Sequence, residues 1–247
     1  MKDSSADTGA AVAAVTPFRP MHLEEGLTTQ AQVYAEFRRV LMSGSLRPGE
    51  ELSLRQLAAA LGVSTTPIRE ALRQLETEGG LEIHGGNRVY RVPVIGAEEL
   101  AEIRDIRVQL EGMATESAAG AIRPAQMRLI TNAYDLMCRA VETNDVDLYL
   151  ENNWRFHSLI YQAARRPTLL GIIERLWLRT GPLVRLAISK AGRLDQSMEL
   201  HAAALEGLQA RDRRAAREAI IRDITEAARD LTGLLDTTKK GSGRSSS

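Results

Sequence analysis

The sequence predicts a mainly α protein in two parts, a small N-terminal unit of three helices closed by one β-hairpin and then an all-α antiparallel helical bundle. Three observations predict it. Apolar residues recur at spacings of three and four through most of the chain after residue 30. The composition, 44% hydrophobic with only 4% aromatic, suits an Ala/Leu-rich helical protein better than a sheet protein. Strand-like patterning with a turn signal occurs once, around Gly85-Gly86-Asn87.

The first helix is predicted over Ala31 to Met42, with Val33, Phe37, Val40 and Leu41 on one side, closed by Ser43-Gly44. The turn Arg47-Pro48-Gly49-Glu50 follows. Leu54, Leu57, Ala58 and Leu61 then form a stripe that stops at Gly62, which can take the positive φ of a sharp turn. The next helix is capped by Ser64, or by Thr66 with Pro67 at the first helical position. It buries Ile68, Ala71, Leu72 and Leu75, stops at Gly79-Gly80, and shows Thr65, Thr66, Arg69 and Arg73 on its other face. Leu81 to His84 and Arg88 to Val92 make the hairpin, with Arg88 and Arg91 as basic side chains. Helix, helix–turn–helix and hairpin in that order describe a winged helix–turn–helix, whose second motif helix can enter a DNA major groove.

Pro93 to Gly96 reads as a linker. Helices are expected at roughly 97–120, 123–143, 147–164, 168–188, 195–209 and 212–235, without internal repeats or further strands. The domain plan is thus a disordered tail over 1–26, a winged-helix unit over 27–93, a helical bundle over 97–235 and a loose tail over 237–247.

Charge and cysteine content narrow the function classes. The formal net charge is zero, which argues against non-specific nucleic-acid binding. Between Leu27 and Ile95 stand eight arginines and seven glutamates, so DNA affinity depends on where the arginines sit. The single cysteine, Cys138, excludes an internal disulfide and fits a reducing cytoplasm. No apolar run approaches the roughly 18–20 residues of a membrane span. The short AAVAAV patch follows Asp3 and Asp7 and does not read as a signal peptide.

In the bundle, Asn153, Phe156, His157, Ile160 and Ala164 share one helix face, which turns His157 inward with Asn153 one turn below. His201 aligns with Met198, Leu205 and Leu208, and Asp223 with Ile220, Ile224, Ala227 and Leu231. A lone inward histidine is usually a satisfied core group. Three helices each sending a nitrogen or oxygen donor inward instead suit a divalent metal such as zinc, nickel, manganese or iron. Arg107 lies on the stripe Leu100, Ile103, Leu110 and Ala114. It either forks onto a ligand carboxylate or pairs with Glu111 one turn on. Trp177 and Arg179 line a cavity or, for Trp177, simply pack the core.

The string RPGEELSLRQLAAALGVSTTPIREALRQLETEG resembles the DNA-binding domain of GntR-type bacterial transcription regulators. The remainder is similar to the helical effector domain, or FCD domain, of their FadR-like subgroup, and the likeness runs from about Gln30 to Leu235. The resemblance implies DNA contacts from Arg55, Thr65, Thr66, Arg69 and the wing residues His84, Gly85 and Arg88, with Arg73 as a further candidate. Many relatives carry arginine at the position of Thr65 and glycine at that of Val89, so the operator does not transfer. Many FCD domains bind a divalent metal through Asp or Asn four residues before a histidine, then two further histidines. Asn153 and His157 match the first pair and His201 the second segment, while Asp223 stands near the last histidine's place. The segment IRVQLE resembles the family's arginine-bearing VRRALE.

The resemblance therefore implies a homodimeric, ligand-responsive repressor of double-stranded operator DNA. It is released by a small carboxylate effector held by Arg107, Trp177 and a metal. No nucleophile–base pair or HExxH-like motif is present, so the ligand is bound and not turned over. Two rivals stay open at this point. One is a metal-dependent enzyme with a winged-helix interaction domain. The other is a regulator that binds its effector through Arg107 without metal.

Overall fold

A computed structural model of the chain describes residues 17–85, 89–191 and 194–242. The N-terminal unit contains α1 (Thr29–Met42), β1 (Glu51–Leu52), α2 (Leu54–Leu61), α3 (Thr65–Thr77), β2 (Glu82–His84) and β3 (Val89–Arg91). Thr28 caps α1 and Ser53 caps α2 through their side-chain oxygens. Gly62 ends α2 at φ 71°, the left-handed conformation that the turn between the two motif helices requires. Helix α3 packs on α1 through Ile68, Ala71, Leu72 and Leu75, all completely buried.

Several local expectations are corrected. Helix α3 starts at Thr65 with Ser64 as its N-cap, but Ser64 makes no side-chain capping bond. Pro67 is thus its third residue, not its first, and Thr66 is not the cap. The first turn accepts proline there because none of its N–H groups has an intrahelical partner. Strand β1, which no sequence pattern signals, pairs antiparallel with β3 and gives the order β1-β3-β2. Two residues are too few to show alternation.

The first tail is not loose over its described part. Phe18 is 5% exposed and its ring lies 4.7 Å from that of Phe37. The Met21 N–H donates to the Leu61 carbonyl at 3.1 Å. A single aromatic docking onto a distant helix leaves no periodicity to read. Residues 1–16, with the AAVAAV patch, lie outside the described residues.

The second unit comprises α4 (Ala97–Ala121), α5 (Pro124–Thr143), α6 (Val146–Ala163), α7 (Pro167–Ala191), α8 (Leu194–Gln209) and α9 (Arg213–Ser242). Short loops make α5/α6 and α8/α9 antiparallel neighbours, while α4 packs along α9. Asn144 at φ 52° turns the chain between α5 and α6, and the Asp145 side chain caps α6. Helix α9 runs to Ser242, through residues expected to be loose. No proline stops it, and an established helix gains one hydrogen bond for each residue added. Residues 243–247 lie outside the described residues.

Candidate functional site

Arg55 on α2, Thr65, Thr66, Arg69 and Arg73 on α3, and His84 and Gly85 beside the wing are all exposed. Arg88 lies outside the described residues. The arginines of this unit divide into two sets. Arg38 pairs with Glu174, Arg39 with Glu36 and Arg91 with Glu82. Among the described residues no ion pair takes up Arg55, Arg69 or Arg73. On the described part of the wing, Glu82 stands opposite Arg91 across the hairpin and pairs with it. The unpaired arginines on the outer faces of α2 and α3 stand where phosphate and base edges would meet them.

The bundle holds a partly open cavity of about 100 Å³. Arg107, Asn153, His157, Trp177 and Asp223 all line it, among apolar walls from Val184, Ile188, Leu200 and Ile224. His201 stands directly behind His157, with their Nε2 atoms 3.1 Å apart. Asp223 Oδ2 lies 3.4 Å from His157 Nε2 and 3.9 Å from His201 Nε2. Both histidines are buried, and Asn153 is 7% exposed.

This donor set fits a divalent cation. At the ~2.0–2.1 Å bonds of zinc or similar ions, neighbouring ligand atoms stand roughly 3.0–3.4 Å apart. Among His157, His201 and Asp223 two separations, 3.1 and 3.4 Å, match this and the third, 3.9 Å, is wider. Without a cation one imidazole donates to the other across the 3.1 Å Nε2–Nε2 contact; two such nitrogens beside a carboxylate also suit a divalent ion. Burial, with His157 beside it, holds His201 down at about 4, so its ring is neutral at neutral pH and its nitrogen is free to bind. Burial alone would raise Asp223, but His201, His157 and Arg107 outweigh it and hold the carboxyl at about 2.

Arg107 makes the local pair with Glu111 and also stands on the cavity wall. Its Nε donates to Glu111 Oε1 at 2.5 Å and its Nη2 to Oε2 at 3.4 Å. Its Nη1 donates to Thr180 at 3.2 Å, and the guanidinium carbon lies 4.5 Å from the Trp177 ring centre. Trp177 is likewise both a core residue, 2% exposed, and a wall residue, with Nε1 on Glu111 at 3.1 Å. Arg179 pairs with Glu99 and does not line the cavity. Sequence reasoning missed Tyr161 and Ser197. Tyr161 sits four residues after His157 on the same face, a signal that was present, and its hydroxyl lies 3.1 Å from His157 Nδ1. Ser197 Oγ lies 3.4 Å from both His201 Nδ1 and Asp223 Oδ1.

Helix α7 joins the cavity to the N-terminal unit. Trp177, Thr180, Val184 and Ile188 face the cavity side. Glu174, Leu178, Gly181 and Arg185, spaced by three and four, face the other unit. Glu174 binds Arg38, which donates to the Tyr34 hydroxyl, and that hydroxyl donates to Glu78 at the end of α3.

Family comparison agrees with this layout. Residues 29–90 match the model of the bacterial regulatory proteins of the gntR family, and residues 102–226 match the FCD domain. The chain belongs to the GntR family and carries its FCD domain. This GntR protein is 32% identical to the HTH-type transcriptional regulator McbR of Escherichia coli K12, over 76% of this chain and 86% of McbR. Its fold matches the solved structure of E. coli McbR/YncC with a TM-score of 0.77, covering 84% of this chain and 99% of that one at 28% identity. It is 29% identical to the probable D-xylose utilization operon transcriptional repressor of Paenarthrobacter nicotinovorans, over 80% of this chain and 86% of that protein. It is 27% identical to the gluconate operon transcriptional repressor of Bacillus licheniformis, over 70% and 69% of the two chains. As a GntR-family member this protein is a DNA-binding transcription regulator and not an enzyme, which removes the enzyme rival. No helix among the described residues is long and apolar enough to cross a membrane.

Proposed function

We propose that this regulator is a homodimeric repressor whose grip on operator DNA is controlled by a small carboxylate bound beside a divalent metal in the bundle. Zinc, manganese, iron and nickel all suit the donors Asn153, His157, His201 and Asp223. The observation that carries the reading is the meeting of two imidazoles and one carboxylate at coordination spacing, on the wall of a cavity bounded by α7. The metal would supply positive charge for the ligand's carboxylate. Arg107 would orient that carboxylate, but its own charge is already matched by Glu111. That match weighs against the metal-free reading, in which Arg107 alone holds the anion.

Release of DNA follows if the ligand prefers one placement of α7 over another, with a coupling of about 1–3 kcal/mol typical of such switches. The names of two relatives, repressors of D-xylose and gluconate operons, support repression and a small sugar or sugar-acid class of effector. A two-fold dimer would place two α3 helices on the halves of a palindromic site.

The test is elemental analysis of protein purified without chelator, with His157→Ala as control. A thermal-shift screen of sugar acids and dicarboxylates then follows, with and without added metal. Metal in the unmodified protein, its loss in the variant, and ligand shifts that need metal are the expected results. Ligand shifts of equal size in metal-free protein would restore the metal-free reading.

A further inference from the structure

Glu111 is completely buried in the middle of α4, yet it is a carboxylate without a place in the donor set. Burial of such a group is costly unless several donors converge on it. Four N–H or O–H contacts from three residues do so: Arg107 Nε at 2.5 Å and Nη2 at 3.4 Å, the Tyr161 hydroxyl at 2.5 Å and Trp177 Nε1 at 3.1 Å. Two of the donors, Arg107 and Trp177, line the cavity, and the third, Tyr161, touches His157 Nδ1 at 3.1 Å.

The Tyr161 contact has a directional consequence. A phenol has one proton, and Tyr161 gives it to Glu111. Toward His157 the hydroxyl can then only accept, so His157 Nδ1 must carry the hydrogen. With the hydrogen on Nδ1, the lone pair of the imidazole lies on Nε2, the atom that faces His201 and Asp223. We propose that Glu111 is a positioning residue: through Tyr161 it holds His157 in the tautomer that presents Nε2 to a metal, and through Nε it pins Arg107 at the wall of the same cavity. One carboxylate thus orients both the metal ligand and the arginine on the cavity wall. This inference rests on the metal reading above, and buried partners of ligating histidines behave in this way elsewhere.

The test uses the full-length protein labelled with nitrogen-15 and stripped of metal. The chain has four histidines, so each imidazole can be assigned and its tautomer read by long-range proton–nitrogen correlation. Co²⁺ affinity and the visible ligand-field spectrum are measured alongside. Glu111→Gln leaves Arg107 buried beside a neutral amide and risks unfolding, so Tyr161→Phe, which removes only the hydroxyl, is the decisive variant. His157 is expected as the Nδ1–H tautomer in the unmodified protein and as a mixture or the Nε2–H form in Tyr161→Phe. Co²⁺ affinity should fall by about 10–100-fold in that variant, with an altered spectrum. An Nε2–H ring in the unmodified protein, or a Tyr161→Phe protein unchanged in both tautomer and Co²⁺ affinity, overturns the proposal. If the tautomer is lost in the variant while Co²⁺ binds equally well, the positioning role alone falls. If the unmodified protein binds no Co²⁺, the metal reading falls and takes the positioning role with it.

Discussion

Gly44 and Gly181 meet backbone to backbone where the end of α1 leans on the middle of α7. A Cβ on Gly181 would stand 2.5 Å from the Leu41 carbonyl oxygen and 2.7 Å from that of Met42, and one on Gly44 would stand 2.6 Å from the Gly181 oxygen. Gly44 also holds φ 72°, and its carbonyl accepts from Arg185 Nε at 2.8 Å. Next to Gly181, Pro182 has no N–H for the helix ladder, which weakens α7 at this contact. The DNA-facing unit therefore rests on a point of α7 one residue from Thr180, the partner of Arg107.

Gly181→Ala should push the two units apart, because its neighbours across the contact are backbone atoms that cannot swing aside. Overpacking of this kind costs about 1–3 kcal/mol, read as a lower thermal midpoint. Metal binding by the bundle should survive, while operator affinity and its response to ligand change. A variant with wild-type stability and wild-type ligand response would show that this contact transmits nothing.

Arg69→Ala should weaken operator binding with little effect on folding, since Arg69 is exposed and has no ion pair among the described residues. A lost bidentate base contact costs about 1–3 kcal/mol and relaxes specificity. A lost phosphate contact instead weakens all sequences alike and lowers the salt slope by about one. Fluorescence anisotropy over a salt series on operator and scrambled duplexes separates the two. Unchanged affinity on both duplexes would remove Arg69 from the interface.

Metal-free protein should lose stability in mild acid. The folded-state value of His201, about 4, lies below its ordinary 6.5, so between these values the unfolded chain binds the proton that the folded chain refuses. Stability is then full above about pH 6.5 and falls as pH drops toward 4, by roughly 3 kcal/mol in all. Asp223, lowered from 3.8 to about 2, adds a further loss in the same direction below pH 4. Urea midpoints measured with chelator from pH 8 to pH 4 should show the slope, and His201→Asn should flatten it. A flat profile in the unmodified protein contradicts the burial of a neutral His201.

Phe18→Ala should destabilise the N-terminal unit. A buried aromatic truncated to alanine typically costs about 3–5 kcal/mol, and Phe18 sits against the completely buried Phe37. Thermal unfolding and limited proteolysis near residue 20 report it. Wild-type behaviour in both would mean that the docked segment contributes nothing to the core.

The helix–turn–helix and the inward faces of α6, α8 and α9 were legible in the sequence. Their apolar spacing states which way each side chain points from its own axis. His157, His201 and Asp223 could therefore be assigned inward positions, and Arg69 and Thr66 outward ones, before any neighbour was known. Spacing does not say which neighbour a side chain meets. The pairing of Tyr161 with Glu111 spans 50 residues and that of Trp177 with Glu111 spans 66. The contact of Arg107 with Thr180, the docking of Phe18 and the two-residue β1 were likewise decided only when separate elements packed. Sequence by itself determined the helices, their faces and the family. Tertiary structure decided which faces share a cavity, because that depends on how helices far apart in the chain are laid against one another.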